Sequence, residues 1–190
     1  WDPAHCPARA DLEGAGPLWL ALEILDSGQD ADTGMVRFHA TFFEQGKFPQ
    51  LQELSRFSQF LQIPLTLKPA HFPPSSPLAS IAIMATRENH GAEAALLASE
   101  ALLIQIWSQE TDIGDSTVVA TALNDAGLPG DAILADAENN ADAYSELVAK
   151  DSQSAIDANI FGAPSFVVDG QVFWGQDRLD MLGWYLANRT

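Results

Sequence analysis

Three stretches carry residues whose types and spacing could do chemistry. The first is Cys6-Pro7, ahead of a helical pattern over Leu12–Leu25. A thiol near a helix start meets free backbone N–H groups and the positive end of the helix dipole, both of which favour thiolate. His5 and Arg9 could add to that effect. The plain alternative is an ordinary buried cysteine. The second stretch is Gly162-Ala163-Pro164-Ser165, which enters a strand. Proline there cannot donate to a ladder, and a cis bond before it would let the backbone of Ala163 face a ligand as a short β-partner. The alternative is a simple loop-to-strand turn. The third is Gly175-Gln176-Asp177-Arg178, at the start of the last helical pattern. Asp177 there suits the dipole as a cap. Functionally, Asp177 could take an ammonium, while Arg178 or the helix start takes a carboxylate, so the segment suits a zwitterion.

The elements that position these residues follow from periodicity. Apolar residues at Leu18, Leu22 and Leu25 predict a helix, and Ser27–Gly34 a loop. Val36, Phe38, Ala40 and Phe42 alternate with polar residues and predict a strand over 35–43. Leu51, Leu54, Phe57, Phe60 and Leu61 return to helix period. Five prolines between Ile63 and Pro77 predict an extended connector. Helices are expected over 78–89, 91–108, 116–126 and 131–150, with Asp115 as an N-cap and Gly127 as a C-terminal stop. A short helix is expected over 152–159. Ser165–Val168 and Gln171–Trp174 then form a hairpin around Asp169-Gly170, and a helix over 176–187 closes the chain. A strand before Trp1 would complete the order β-α-β-α, helical insertion, α-β-β-α, an α/β or α+β arrangement.

Composition bounds the function. The chain has 190 residues, 47% of them hydrophobic, enough for a full core and unlike a disordered chain. Its formal net charge of −17 disfavours phosphate backbones and anionic membranes, so no nucleic-acid or membrane partner is expected. A single cysteine excludes an internal disulfide and a Cys-based zinc site. The four histidines show no metal-ligand spacing. No apolar run approaches the roughly 20 residues of a membrane helix. No secretory leader pattern is visible, which makes a cytoplasmic location the default. Phe173, Trp174 and Trp184 read as core or dimer-face packing, with an aromatic wall for a ring-bearing substrate as the alternative.

The run Ile160–Leu182 (IFGAPSFVVDGQVFWGQDRLDML) closely resembles the C-terminal signature of the 2-hydroxychromene-2-carboxylate isomerase family. That family is related to kappa-class glutathione transferases, in the DsbA-like branch of the thioredoxin superfamily. His71–Ala79 resembles the family's connector into its helical insertion. Trp107, Glu110, Asp112, Ile113 and Asp115 resemble the aromatic and acidic segment inside it. The resemblance covers about residues 60 to 190. It implies an α/β, thioredoxin-like fold split by an all-helical insertion, with residues 1–74 and 152–190 forming the thioredoxin-like part and 75–151 the insertion.

It also implies glutathione as cofactor, a small aromatic substrate and a homodimer. Ala163, before Pro164, would offer its backbone to the cysteinyl part of glutathione. Gln176, Asp177 and Arg178 would hold the γ-glutamyl end. Cys6 falls at or next to the position of the family's catalytic serine, and Ala8 replaces its tyrosine. The resemblance implies a glutathione-dependent isomerase or transferase: a thiolate adds to a conjugated aromatic substrate, a bond rotates, and the thiol leaves. Two other readings stand beside it. One is a monothiol thiol-disulfide oxidoreductase using Cys6, since Arg9 occupies the place of a second cysteine. The other is a non-catalytic thioredoxin-fold module that binds a partner.

Overall fold

The computed structural model describes residues 49–162 and 164–189, which fall into two units, 49–150 and 151–189. The helix expected over 12–25, the loop over 27–34 and the strand over 35–43 lie outside the described residues.

The first unit is helical because its apolar residues recur at helical spacing and its breakers are sparse. Helix α1, Pro49–Leu61, carries the helical period of Leu51, Leu54, Phe57, Phe60 and Leu61. It ends on Gln62 in the left-handed region (φ 55), and the Ile63 N–H donates to the Ser58 carbonyl at 3.0 Å. That bond closes a Schellman-type cap. Residues 63–76 form neither helix nor strand, as their prolines predict. Two hydrogen bonds tie their first part to residues 107 and 108: Thr66 N–H donates to the Trp107 carbonyl at 2.6 Å, and the Ser108 hydroxyl donates to the Pro64 carbonyl at 2.7 Å.

Helix α2, Pro77–Trp107, starts with proline in its first turn and loses helical geometry only at Gly91 (φ 86, ψ 174). The two helices expected on either side of His90 are present and meet at Gly91, where the backbone leaves helical geometry. Ala79 to Thr86 are buried without interruption, so this part of α2 is covered all round, and Thr86 satisfies its hydroxyl on the Ala82 carbonyl at 2.7 Å. Helix α3, Ser116–Asp125, is capped as predicted: Asp115 accepts from Thr117 N–H at 2.8 Å. Gly127 (φ 82) stops it, with Leu128 N–H donating to the Leu123 carbonyl at 3.0 Å. Helix α4, Gly130–Asn139, follows, and α2, α3 and α4 pack on one another around Leu102, Ile106, Val119, Leu123 and Ile133.

Helix α5 runs Ala141–Asp157 without a stop. The sequence predicts one helix to 150 and another from 152, and both expectations are corrected. The break falls at Asn140 (φ −120, ψ 29), whose side-chain amide donates to the Asp136 carbonyl at 3.1 Å and to its carboxylate at 2.9 Å. Asparagine competes with the helix by bonding nearby backbone, which ends α4 without a glycine or proline. Helix α5 passes through Lys150 and Asp151 in helical geometry.

In the second unit, α5 ends on left-handed Asn159 (φ 56), with Ile160 N–H donating to the Ala155 carbonyl at 3.0 Å. Strands β1, Ser165–Val168, and β2, Gln171–Trp174, pair antiparallel with Ser165 opposite Trp174 and Val168 opposite Gln171. Asp169 (φ 51) and Gly170 (φ 74) make the two-residue primed turn that matches strand twist. The predicted last helix begins as a 3-10 turn, Gln176–Arg178, and continues as α6, Leu179–Asn188. Val168, Phe173 and Leu182 form the core here, flanked by Phe166, Leu179, Tyr185 and Leu186. Tyr185 ties α6 to the hairpin turn: it accepts from Gln171 at 2.8 Å and donates to Asp169 at 3.2 Å.

Candidate functional site

The open end of the hairpin is shaped by one missing hydrogen. The register carries one step past the Ser165–Trp174 pair to Pro164 and Gly175, where Gly175 N–H donates to the Pro164 carbonyl at 2.9 Å. An ordinary residue at 164 would return a bond to the Gly175 carbonyl, but proline has no N–H. The Gly175 carbonyl accepts from Arg178 N–H instead, at 3.1 Å, and this bond closes the 3-10 turn. Pro164 thus leaves the Gly175 carbonyl to the turn that carries Asp177 and Arg178.

Within that turn, the Arg178 guanidinium donates to the Asp177 carboxylate at 2.6 Å. The two side chains are 48% and 56% exposed. An ion pair this open to water adds little stability. It does place both charge signs side by side at the hairpin's open end, within reach of a solute that carries both. The other carboxylate oxygen of Asp177 lies over the Gly175 Cα, and Gly175 takes φ 106.

Beside this end, Phe161 meets Trp174 edge-on, with ring centroids 4.9 Å apart at 62°. Both are exposed, Phe161 at 56% and Trp174 at 51%. Gly162 packs against the indole so closely that a Cβ would lie 2.6 Å from Nε1. The buried Ser165 hydroxyl turns back to the Gly162 carbonyl at 2.5 Å and fixes this loop to β1.

The structure brings together Pro164, Asp177 and Arg178. Gln176 contributes backbone to the turn. Cys6 and Ala163 lie outside the described residues, as does the peptide bond before Pro164. Of the aromatic residues singled out in the sequence, Phe173 is core, while Trp174 and Trp184 are exposed. Phe161 had no periodicity to mark it; its place next to Gly162 was the available signal.

In the first unit, the two stretches that resemble the family's connector and acidic segment meet. The Phe72 and Trp107 rings lie 5.1 Å apart, and His71 Nδ1 lies 4.0 Å from the Asp112 carboxylate. Among the described residues, no group of three or more His, Cys, Asp or Glu could hold a metal, and no helix is long and apolar enough to cross a membrane.

A family model described as a DSBA-like thioredoxin domain matches residues 22–187. A 2-hydroxychromene-2-carboxylate isomerase from Sphingobium xenophagum is 32% identical over 138 residues, covering 73% of this chain and 67% of that protein. A solved structure of a 2-hydroxychromene-2-carboxylate isomerase superposes with a TM-score of 0.58 at 21% identity, over 88% of this chain and 77% of that one.

Proposed function

The chain belongs to the DSBA-like thioredoxin domain family, and from that premise we propose that it is a glutathione-dependent isomerase acting on a conjugated aromatic substrate. The fold is a DSBA-like thioredoxin fold, mainly helical with a small sheet. The relative's activity supports an enzyme of the isomerase class. One observation in the structure favours glutathione: Asp177 and Arg178 stand together, exposed, on a turn joined by hydrogen bond to Pro164.

The residues present fit that group. The γ-glutamyl end of glutathione carries an ammonium and a carboxylate on one carbon. Asp177 would accept from the ammonium and Arg178 would donate to the carboxylate, each exchanging its present partner for a charged group of the same sign as that partner. Bound glutathione supplies the thiolate for reversible addition to a conjugated carbon, which lets a double bond rotate. The chain's own task would be to grip the γ-glutamyl and cysteinyl parts of the tripeptide and hold the thiol ionised. Ala163 would offer backbone to the cysteinyl part, and Cys6 would sit beside the thiol.

Calorimetry with glutathione tests this. The wild type should bind, and Arg178→Ala should bind at least about tenfold more weakly. No binding by the wild type, or equal binding by Arg178→Ala, overturns the reading.

A further inference from the structure

We propose that Trp174, braced by Phe161, is the wall on which the aromatic ring of the substrate lies, with the indole N–H addressing an oxygen of that substrate. This rests on the functional reading above and assigns the ring's place within it.

Strand alternation sends neighbouring side chains to opposite faces. Phe173 therefore enters the core and is 8% exposed, while Trp174 faces the other way and keeps half its surface open. Two of the residues beside the indole are small. Its cross-strand partner is Ser165, and Gly162 packs against it with no side chain. Neither can cover the ring face.

An exposed tryptophan is usually free to move, but this one is held. Phe161 contacts it edge-on, and Gly162 lies against Nε1. A large apolar surface that is both open and held in place suits a ligand, because little side-chain freedom is lost when the ligand binds. The indole N–H has no hydrogen-bond partner among the described residues. An aromatic ring with a polar handle at its edge fits a planar ring that bears a carboxylate or carbonyl. Trp174 directly precedes Gly175, whose N–H bonds Pro164, so the ring stands at the same hairpin end as Asp177 and Arg178.

The test titrates 2-naphthoate, and separately glutathione, into wild type, Trp174→Leu, Trp174→Phe and Phe161→Leu. Folding of each is checked by circular dichroism. Trp174→Leu should weaken 2-naphthoate about tenfold, and Phe161→Leu by less. Trp174→Phe, which keeps a ring but loses the N–H, should fall between wild type and Trp174→Leu, and glutathione affinity should stay within about twofold in all. Should Trp174→Leu not fold, the weaker loss in Phe161→Leu decides. No binding of 2-naphthoate by the wild type, or equal binding by the variants, overturns the proposal. So does a dimer that dissociates in Trp174→Leu while naphthoate affinity holds, which would assign the face to a second copy of the chain. If glutathione fails to bind while naphthoate still depends on Trp174, the cofactor reading falls and the aromatic wall stands. If glutathione binds and naphthoate ignores Trp174, the wall alone falls.

Discussion

The Tyr144 hydroxyl donates to the Asp136 carboxylate at 2.6 Å, across the break between α4 and α5. The same carboxylate accepts from Asn89 on α2 at 2.9 Å and from Asn140 at 2.9 Å. One acceptor therefore holds three helices. Removing Tyr144's hydroxyl leaves Asp136 with two donors and no orphaned charge. Tyr144→Phe should then cost about 1 kcal/mol, read from urea unfolding.

The pH dependence of that bond has a definite sign. The Asp136 carboxylate, first through the hydrogen bond and then through burial around the ring, holds the Tyr144 hydroxyl above the usual tyrosine value near 10. A folded value above the unfolded one gives stability that is complete below about pH 10 and is lost as pH rises through the folded value. Tyr185 shifts in the same direction, through burial and Asp169. Stability measured from pH 8 upward should fall for the wild type near and above about pH 10, and less steeply for Tyr144→Phe. Equal slopes would show that Tyr144 contributes nothing to the loss.

Gly130 opens α4 against α3 so closely that a Cβ would collide with the Ala120 carbonyl and lie 2.9 Å from Asn124 N. Both are backbone atoms that cannot step aside. Asn124 also accepts from Gly130 N–H at 2.9 Å, so a shift would break that bond too. Gly130→Ala should destabilise by about 1–3 kcal/mol. A thermal midpoint equal to wild type would contradict the packing.

Three helices end on the same device, and only one uses glycine. Gly127 was readable as a stop because glycine enters the left-handed region freely. Gln62 and Asn159 take φ 55 and 56 and were not read as stops, since nothing in their chemistry requires it. Gln62→Gly should stabilise by about 0.5–1 kcal/mol by relieving that conformation, with Asn159→Gly gaining less because asparagine tolerates it. Chemical denaturation would show either midpoint moving.

The charged pair makes a prediction of the opposite kind. Because Asp177 and Arg178 are open to water, Arg178→Ala should change unfolding free energy by less than about 0.5 kcal/mol. Glutathione binding should weaken in the same variant by about 1.5–3 kcal/mol. A variant that loses stability and affinity together would make Arg178 structural.

What the sequence revealed, and what it hid, follows from where the determining forces act. The hairpin was legible because Asp169-Gly170 and flanking apolar residues act locally, and α1, the Asp115 cap and the Gly127 stop were legible for the same reason. The break at Asn140 was not, because it depends on a side chain reaching Asp136 one turn back. At the candidate site, Pro164, Asp177 and Arg178 stood out as chemistry. Their linkage through the Gly175 carbonyl did not, because it turns on which donor is absent in a paired strand. Trp174 reads from sequence as core or dimer-face packing, with an aromatic wall as the alternative, and strand alternation puts it on the face opposite the Phe173 core.

The Gly175 carbonyl accepts from Arg178 N–H, and position 164, being proline, adds no second donor there. Any replacement of Pro164 introduces an amide hydrogen that the register aims at the same oxygen, so the tight turn would share its acceptor with one further rung of the ladder. Positions 164 and 178 thus meet at a single oxygen: a change at the proline alters the surroundings of the bend before Arg178 while both charged side chains stay as they are.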